Sequence, residues 1–149
     1  MNAEELDHVR VLLLNRSNEY RAMHGVVNLT MDDKLNDYAQ INAEKLLKIG
    51  KLVHDDDSKY GENLAMLYAP NYVQAVKMWY EEVDYYDYNS DTPNMKCLHF
   101  TQLVWKETIL CGFGIAKNLK TRQTIIVALY EKPGNVLGFF KDNVFPAKF

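Results

Sequence analysis

The sequence predicts an α+β domain in which helices enclose a small, mainly antiparallel sheet. Two observations lead to this class. Apolar residues recur at helical spacing through much of residues 3–86, and two β-rich runs, 113–116 and 124–130, follow near the end of the chain. The polar segment 118–123 suits a turn between these two runs. Because no repeat or Ser/Gly linker divides the 149 residues, we expect one domain spanning residues 1–149.

Two long helices are predicted in the first third of the chain. The first covers residues 3–24 and ends at Gly25. The second begins near Asp32 and Asp33, whose charge suits a helix N-terminus, and ends at Gly50. The inward residues of the first helix are predicted to be Leu6, Val9, Leu13 and Tyr20. Those of the second are predicted to be Leu35, Tyr38, Ala39, Asn42, Leu46 and Ile49.

The middle of the chain alternates loops with shorter elements. Residues 51–59 are predicted to form a loop, and a short strand is expected over 62–68. Pro70 suits the first turn of a third helix. After the polar loop 87–97, residues 99–107 have the pattern of a short fourth helix. The inward residues of the third helix are predicted to be Tyr72, Ala75, Val76, Trp79, Val83 and Tyr86.

Composition and charge exclude several functional classes. The net charge of −3 and the dispersed Lys and Arg residues argue against a nucleic-acid partner. No apolar run approaches the roughly 20 residues that span a bilayer. The acidic start, residues 1–5, has no apolar signal-peptide core. We therefore expect a cytoplasmic protein or one peripheral to internal membranes, and a secreted one if a signal peptide has been removed.

Two cysteines are too few for a disulfide framework. Cys111, between Leu110 and Gly112, is expected to be a small buried hydrophobic residue. Whether Cys97 pairs with Cys111 stays open at this point.

The segment His99–Thr108 contains the most distinctive pattern, an imidazole at the start of a short amphipathic helix. Upstream lie His54 and the Glu-bearing segments 60–65 and 79–82. Two His and two or three Glu could converge on one polar cleft. Such a set is a plausible site for a borderline metal ion.

Four segments, in order along the chain, resemble the motifs of the CAP superfamily of cysteine-rich secretory, antigen 5 and pathogenesis-related proteins. They are Ser17–Arg21, Gly61–Leu64, His99–Trp105 and Tyr130–Val136. The resemblance covers nearly the whole chain. It is strongest to the Golgi-associated pathogenesis-related members, which are intracellular and disulfide-poor.

This resemblance implies a three-layer α-β-α sandwich and a cleft lined by His54, Glu62, Glu82 and His99. Within it, the two His would bind a divalent metal, with zinc the first choice, and the two Glu would act as ligands or orient the His. Helical spacing separately favours Glu82 over Glu81, because Glu82 shares a helix face with the inward-facing Trp79.

The resemblance also implies a lipid or sterol partner, or a membrane surface. Tyr85 and Tyr88 are candidates for this contact, because aromatic rings with polar tips suit a wet–apolar boundary. The competing interpretation is that Tyr80 and Tyr86 pack in the core and the other tyrosines cover the surface. Asn2 stands where N-myristoylation requires Gly, so a lipid anchor of that kind is not expected.

Other interpretations stay open. We expect no catalytic residues, although a metal-dependent hydrolase or a homodimeric interaction scaffold would be compatible with the same cleft. Glu62 could instead hold loop backbone amides. Some roles are expected to be purely structural or solvent-facing: core packing for Trp79 and Trp105, surface positions for His8 and His24, and a solvated loop for Asp55, Asp56 and Asp57.

Overall fold

A four-stranded sheet forms the middle layer of the protein in a computed structural model, which describes residues 1–68 and 71–148. Its strands are β1 (Thr30–Met31), β2 (Gly61–Leu67), β3 (Leu110–Lys117) and β4 (Thr124–Glu131), in the order β1-β3-β4-β2. The β2–β4 and β3–β4 pairs are antiparallel, and β1 runs parallel to β3. The predicted α+β class and mainly antiparallel sheet are confirmed. β1 was not predicted, because two residues are too short to show a period.

Helices cover both faces of this sheet. They are α1 (Ala3–Met23), α2 (Asp33–Ile49), α3 (Gln74–Glu81), α4 (Leu98–Leu103) and the short α5 (Phe140–Asn143). Two 3₁₀ turns, Glu82–Tyr85 and Met95–Cys97, follow α3 and precede α4. No helix among the described residues is both long and apolar enough to cross a membrane.

Alternation along β4 divides the core into two clusters. Ile125, Val127 and Leu129 pack with α2 on one face. Ile126, Ala128 and Tyr130 point to the other face, where α1, α3 and α4 pack. These two buried layers confirm the three-layer α-β-α arrangement.

Helix α2 lies unusually close to β3. A Cβ atom at Gly112 or Gly114 would overlap the α2 backbone, at Asn36 and Ala39 respectively. The Gln40 side chain bonds both backbone groups of Ile115, with its Nε2 donating at 2.7 Å and its Oε1 accepting at 2.9 Å. Asn36 likewise accepts from the Phe113 amide at 2.8 Å. The short strand β1 pairs with β3 at Leu110 and Cys111. Farther along this edge of β3, the side-chain amides of Asn36 and Gln40 take over the hydrogen bonds that a neighbouring strand would make.

Several sequence predictions about burial and boundaries were wrong. Tyr38 and Ile49 are 44% and 48% exposed, because the buried face of α2 is centred on Leu35, Ala39, Ala43 and Leu46. His24, expected at the surface, is fully buried, since the chain beyond α5 packs against it.

The observed ends of two helices also differ from the predicted ones. The fourth helix stops at Leu103 rather than Glu107, and α3 ends at Glu81, so Val83 and Tyr86 follow it in 3₁₀ and extended backbone. The predicted start at Pro70 lies outside the described residues.

Cys97 and Cys111 do not form the disulfide that the sequence analysis left open. Cys97 and Cys111 are both free and fully buried. Burial raises the pKa of the Cys111 thiol to about 12, so it packs as a neutral thiol.

Candidate functional site

The four candidate site residues form two histidine–carboxylate pairs. The His54 Nδ1 atom lies 2.9 Å from Glu62 Oε1, and the His99 Nδ1 atom lies 2.7 Å from Glu82 Oε2. Each carboxylate comes from a different element than its histidine, so only the folded chain forms the pairs. Because a carboxylate only accepts, each Nδ1 carries a proton, and Nε2 is the ring nitrogen that the carboxylate does not engage.

The His99–Glu82 pair is built on the start of α4. Glu82 lies one residue beyond α3, where its Oε1 accepts from the backbone amides of His99 at 2.9 Å and Phe100 at 3.4 Å. The carboxylate thus satisfies two unpaired amides of the first turn as well as the imidazole. Glu81 is exposed, as the sequence analysis expected of it.

Trp79 fixes the surroundings of this pair. Its ring stacks on His99 with centroids 6.5 Å apart, and its Nε1 donates to the Leu64 carbonyl at 2.9 Å. The ring is 2% exposed, so the prediction of a core aromatic is confirmed. One face of the His99 imidazole is therefore shielded, while 34% of its side chain stays accessible.

The His54–Glu62 pair lies between the 51–59 loop and β2. The Glu62 side chain is only 7% exposed, and its Oε1 also accepts from the Asp55 amide at 3.3 Å. Glu62 therefore holds loop backbone, as the structural interpretation expected, and orients His54 at the same time. The His54 side chain is 59% exposed, which leaves its outer edge open to solvent.

Asn63 joins β2 to the backbone of His99, a contact that the sequence analysis did not predict. It follows Glu62 on β2, so its side chain leaves the strand on the opposite side. There its Nδ2 donates to the His99 carbonyl at 3.1 Å and to the Tyr130 hydroxyl at 3.3 Å. Its position within the Gly61–Leu64 segment was the sequence signal that could have identified it. Both pairs thus lie near the start of β2.

The pairs do not merge into one preformed ligand cluster. Within residues 1–68 and 71–148, no three His, Cys, Asp or Glu side chains come together as a metal-binding group. The donor chemistry nevertheless fits zinc at each pair. An imidazole whose Nδ1–H is held by a carboxylate is the arrangement that presents Nε2 to a metal.

The tyrosines proposed for lipid contact occupy different environments. Tyr85 is 53% exposed, with the Lys96 ammonium 5.7 Å from its ring centroid. Tyr88 is partly buried and packs edge-on against the buried Tyr86, at 4.7 Å between centroids. The core position expected for Tyr86 is confirmed. Of the two candidates, Tyr85 is the one that offers an open surface.

Comparison with known proteins gives a consistent result. The family model "CAP: Cysteine-rich secretory protein family" matches residues 14–130. Golgi-associated plant pathogenesis-related protein 1 of Homo sapiens is 36% identical over 142 residues, which cover 91% of this chain and 92% of that protein. Protein PRY2 of Saccharomyces cerevisiae is 38% identical over 135 residues. They cover 90% of this chain but only 40% of PRY2.

Solved structures share the fold. Venom allergen-like protein 4 of Schistosoma mansoni superposes with a TM-score of 0.73 at 23% identity, covering 95% of this chain and 96% of that one. A crystal structure described as NaASP2 with Zn²⁺ gives a TM-score of 0.65 at 19% identity, covering 93% and 84% of the two chains.

Proposed function

Since the chain belongs to the CAP family of cysteine-rich secretory proteins, we propose that it is a non-catalytic binding protein whose two His–Glu pairs recruit a divalent metal, zinc first, at the start of β2. The observation that carries this proposal is that the hydrogen bond between histidine and carboxylate uses the same ring nitrogen, Nδ1, in both pairs. In both, a carboxylate fixes the Nδ1 proton and leaves Nε2 as the outward donor.

Each residue has a distinct part in this proposal. His54 and His99 supply the nitrogen ligands. Glu62 and Glu82 orient the rings, because both are already engaged by backbone amides in addition to their histidines. Zinc bound there supplies positive charge and Lewis acidity. A structural neighbour solved with Zn²⁺, NaASP2, supports this choice of metal.

The test is a calorimetric zinc titration of metal-stripped protein. We expect binding that weakens in both His54→Ala and His99→Ala, and that weakens 10- to 100-fold in Glu82→Gln, as loss of an orienting carboxylate typically does. His8→Ala is the matched control, because His8 is exposed and lies on the outer side of α1. Binding that the His54→Ala/His99→Ala double variant retains in full would overturn the proposal. Turnover of a substrate panel, abolished in Glu62→Gln, would favour the hydrolase alternative.

The binding partner proposed for this site is a lipid or sterol, or a membrane surface. The support is the exposed Tyr85 ring beside Lys96, which joins an aromatic surface to a cation. We place the protein in the cytoplasm or on internal membranes, a location supported by the name of its Golgi-associated human relative.

Liposome co-sedimentation with and without chelator tests the lipid part. We expect binding to anionic vesicles that Tyr85→Ser reduces and that changes with zinc. Tyr68→Ser is the control, because Tyr68 is 64% exposed and follows β2, outside the 3₁₀ turn that carries Tyr85. Equal binding by both variants would remove Tyr85 from the contact, and no binding by the wild type would remove the lipid function. A concentration-dependent dimer in sedimentation would instead favour the homodimeric alternative.

A further inference from the structure

A groove runs between one flank of α2 and the segment 53–60. It consists of two cavities, of about 260 and 370 Å³, that share Asn42, Asp55 and Asp57 as lining residues. The smaller cavity is also lined by His54 and Glu62, so the groove borders one of the two His–Glu pairs. The groove follows α2 from Tyr38 to Ile49, a span of about 16 Å at the rise of a helix. We call it the α2 groove.

One wall of the α2 groove is apolar. Tyr38, Ile41, Ile49 and Val53 line it and are 44%, 62%, 48% and 48% exposed. Single exposed apolar side chains are ordinary on protein surfaces, but here four of them border one continuous depression. Their spacing along α2 places the three helical ones on the same flank, away from the buried face.

The other wall is acidic. Asp55, Asp56 and Asp57 are consecutive, exposed and line the groove. In the part of the chain that the structure describes, none of these carboxylates takes part in an ion pair. Lys45 and Lys59 also line the groove, and Lys59 lies over the Tyr60 ring at 5.4 Å. Three aspartates and Glu62 against two lysines leave an excess of negative charge.

An apolar wall facing an acidic wall defines the chemistry of the occupant. We propose that the α2 groove binds a short extended peptide segment in which basic and aliphatic residues alternate. Successive side chains of an extended strand point to opposite sides, so such a segment turns its aliphatic residues to Ile41 and Ile49 and its basic residues to Asp55–Asp57. At about 3.3 Å per residue, the groove accommodates roughly five residues.

A cation site does not account for the same features. The three aspartates are adjacent in sequence and lack the alternate spacing by which a calcium loop turns carboxylates inward. A bare metal ion would also leave the apolar wall without a role. The peptide uses both walls, and it goes beyond the metal and lipid binding proposed above.

The test is fluorescence anisotropy with a labelled Lys-Leu-Lys-Leu-Lys peptide, in chelator so that metal at His54 cannot contribute. We expect saturable binding that a Glu-Leu-Glu-Leu-Glu peptide does not reproduce. The variant Asp55→Asn/Asp56→Asn/Asp57→Asn should weaken binding roughly tenfold, because it removes the facing charge and keeps the side-chain shape. The control Asp37→Asn/Glu107→Gln/Asp142→Asn makes the same change of net charge at exposed positions outside the groove.

A second pair of variants tests the apolar wall. Ile41→Ser/Ile49→Ser should weaken binding by a similar factor, whereas Val11→Ser/Val27→Ser, at positions 45% and 62% exposed elsewhere, should not. Equal effects of groove and control variants, equal binding of the acidic peptide, or no saturable binding of the basic peptide would each overturn the proposal. Circular dichroism of every variant separates these outcomes from loss of fold.

Discussion

At the scale of single residues, Arg21 shows why the first-helix segment is more than a surface pattern. The side chain is fully buried and donates to four backbone carbonyls. The acceptors are those of Val27 at 2.8 Å, Leu103 at 3.0 Å, Trp105 at 3.0 Å and Thr108 at 2.8 Å. Burial lowers the pKa of the guanidinium to about 10, so it stays charged at neutral pH. Arg21 thus joins α1 to the turn that follows α4.

Replacing Arg21 with Lys should destabilise the protein by about 3 kcal/mol. The four carbonyls are bonded by three different nitrogens of the planar guanidinium, and the single ammonium nitrogen of Lys cannot reach all of them. Urea unfolding measures the change. Arg16→Lys is the control, since the Arg16 side chain is 40% exposed and forms an ion pair with the exposed Glu19. Equal midpoints for the two variants would show that the carbonyls find other partners.

At the scale of elements, the contact between α2 and β3 depends on glycine. Gly114→Ala should cost about 3 kcal/mol, because the added methyl group meets the Ala39 backbone and the helix must move away from the sheet. Gly50→Ala is the informative comparison. Nothing lies within 4 Å of its Cβ position, but its φ is +82°, so only backbone strain of about 1 kcal/mol is expected. Thermal unfolding of both variants tests the order, and a smaller effect at Gly114 would contradict it.

Elements with a sustained period were predictable from the sequence, and those decided by packing were not. The apolar stripe of α1 is long enough to specify a helix, and the unbroken run of β-forming residues in β4 indicates a strand buried on both faces. Tyr38 and Ile49 fit the spacing of α2 equally well, yet they lie on its flank, because the sheet covers only the side centred on Ala39. His24 follows a helix end in sequence, and nothing local shows that Phe145, 121 residues away, packs against it.

The candidate site follows the same division. Helical spacing favoured Glu82 over Glu81, because that choice concerns which side of the chain faces Trp79. The structure ends α3 at Glu81, so Glu82 reaches the His99 backbone from the first residue of a 3₁₀ turn. The pairing of Glu82 with His99 joins residues 17 apart across a turn and a loop, and the sequence suggested it only through family resemblance. The link through Asn63 depends on strand register, which the sequence did not specify.

At the scale of the whole molecule, His24 joins three distant parts of the chain. It caps α1, its Nδ1 lies 2.7 Å from the Phe145 carbonyl, and its Nε2 lies 2.8 Å from the Tyr80 hydroxyl of α3. Because a carbonyl only accepts, Nδ1 carries the proton and Nε2 accepts from Tyr80. The nearby titratable groups are Tyr80 itself and Tyr20 of α1, whose ring stacks on Tyr80 with centroids 4.0 Å apart.

Burial lowers the pKa of His24 below its usual 6.5, which fixes the sign of a pH effect. Below pH 6.5 the unfolded chain binds this proton more readily than the folded one, so the free energy of unfolding falls as pH decreases towards the folded pKa. The slope from this residue is at most about 1.4 kcal/mol per pH unit. Above pH 6.5 both states are neutral and the effect is absent.

Urea unfolding from pH 7.5 to 5 tests this expectation against His24→Gln, which keeps a donor and an acceptor but does not titrate. We expect the wild type to lose stability more steeply below pH 6.5 than the variant, with parallel curves above it. His8→Gln is the control for an exposed histidine and should follow the wild type. Parallel curves for the wild type and His24→Gln throughout would mean that His24 gains its proton without unfolding. The Tyr80 hydroxyl would then have to turn from donor to acceptor inside the folded protein.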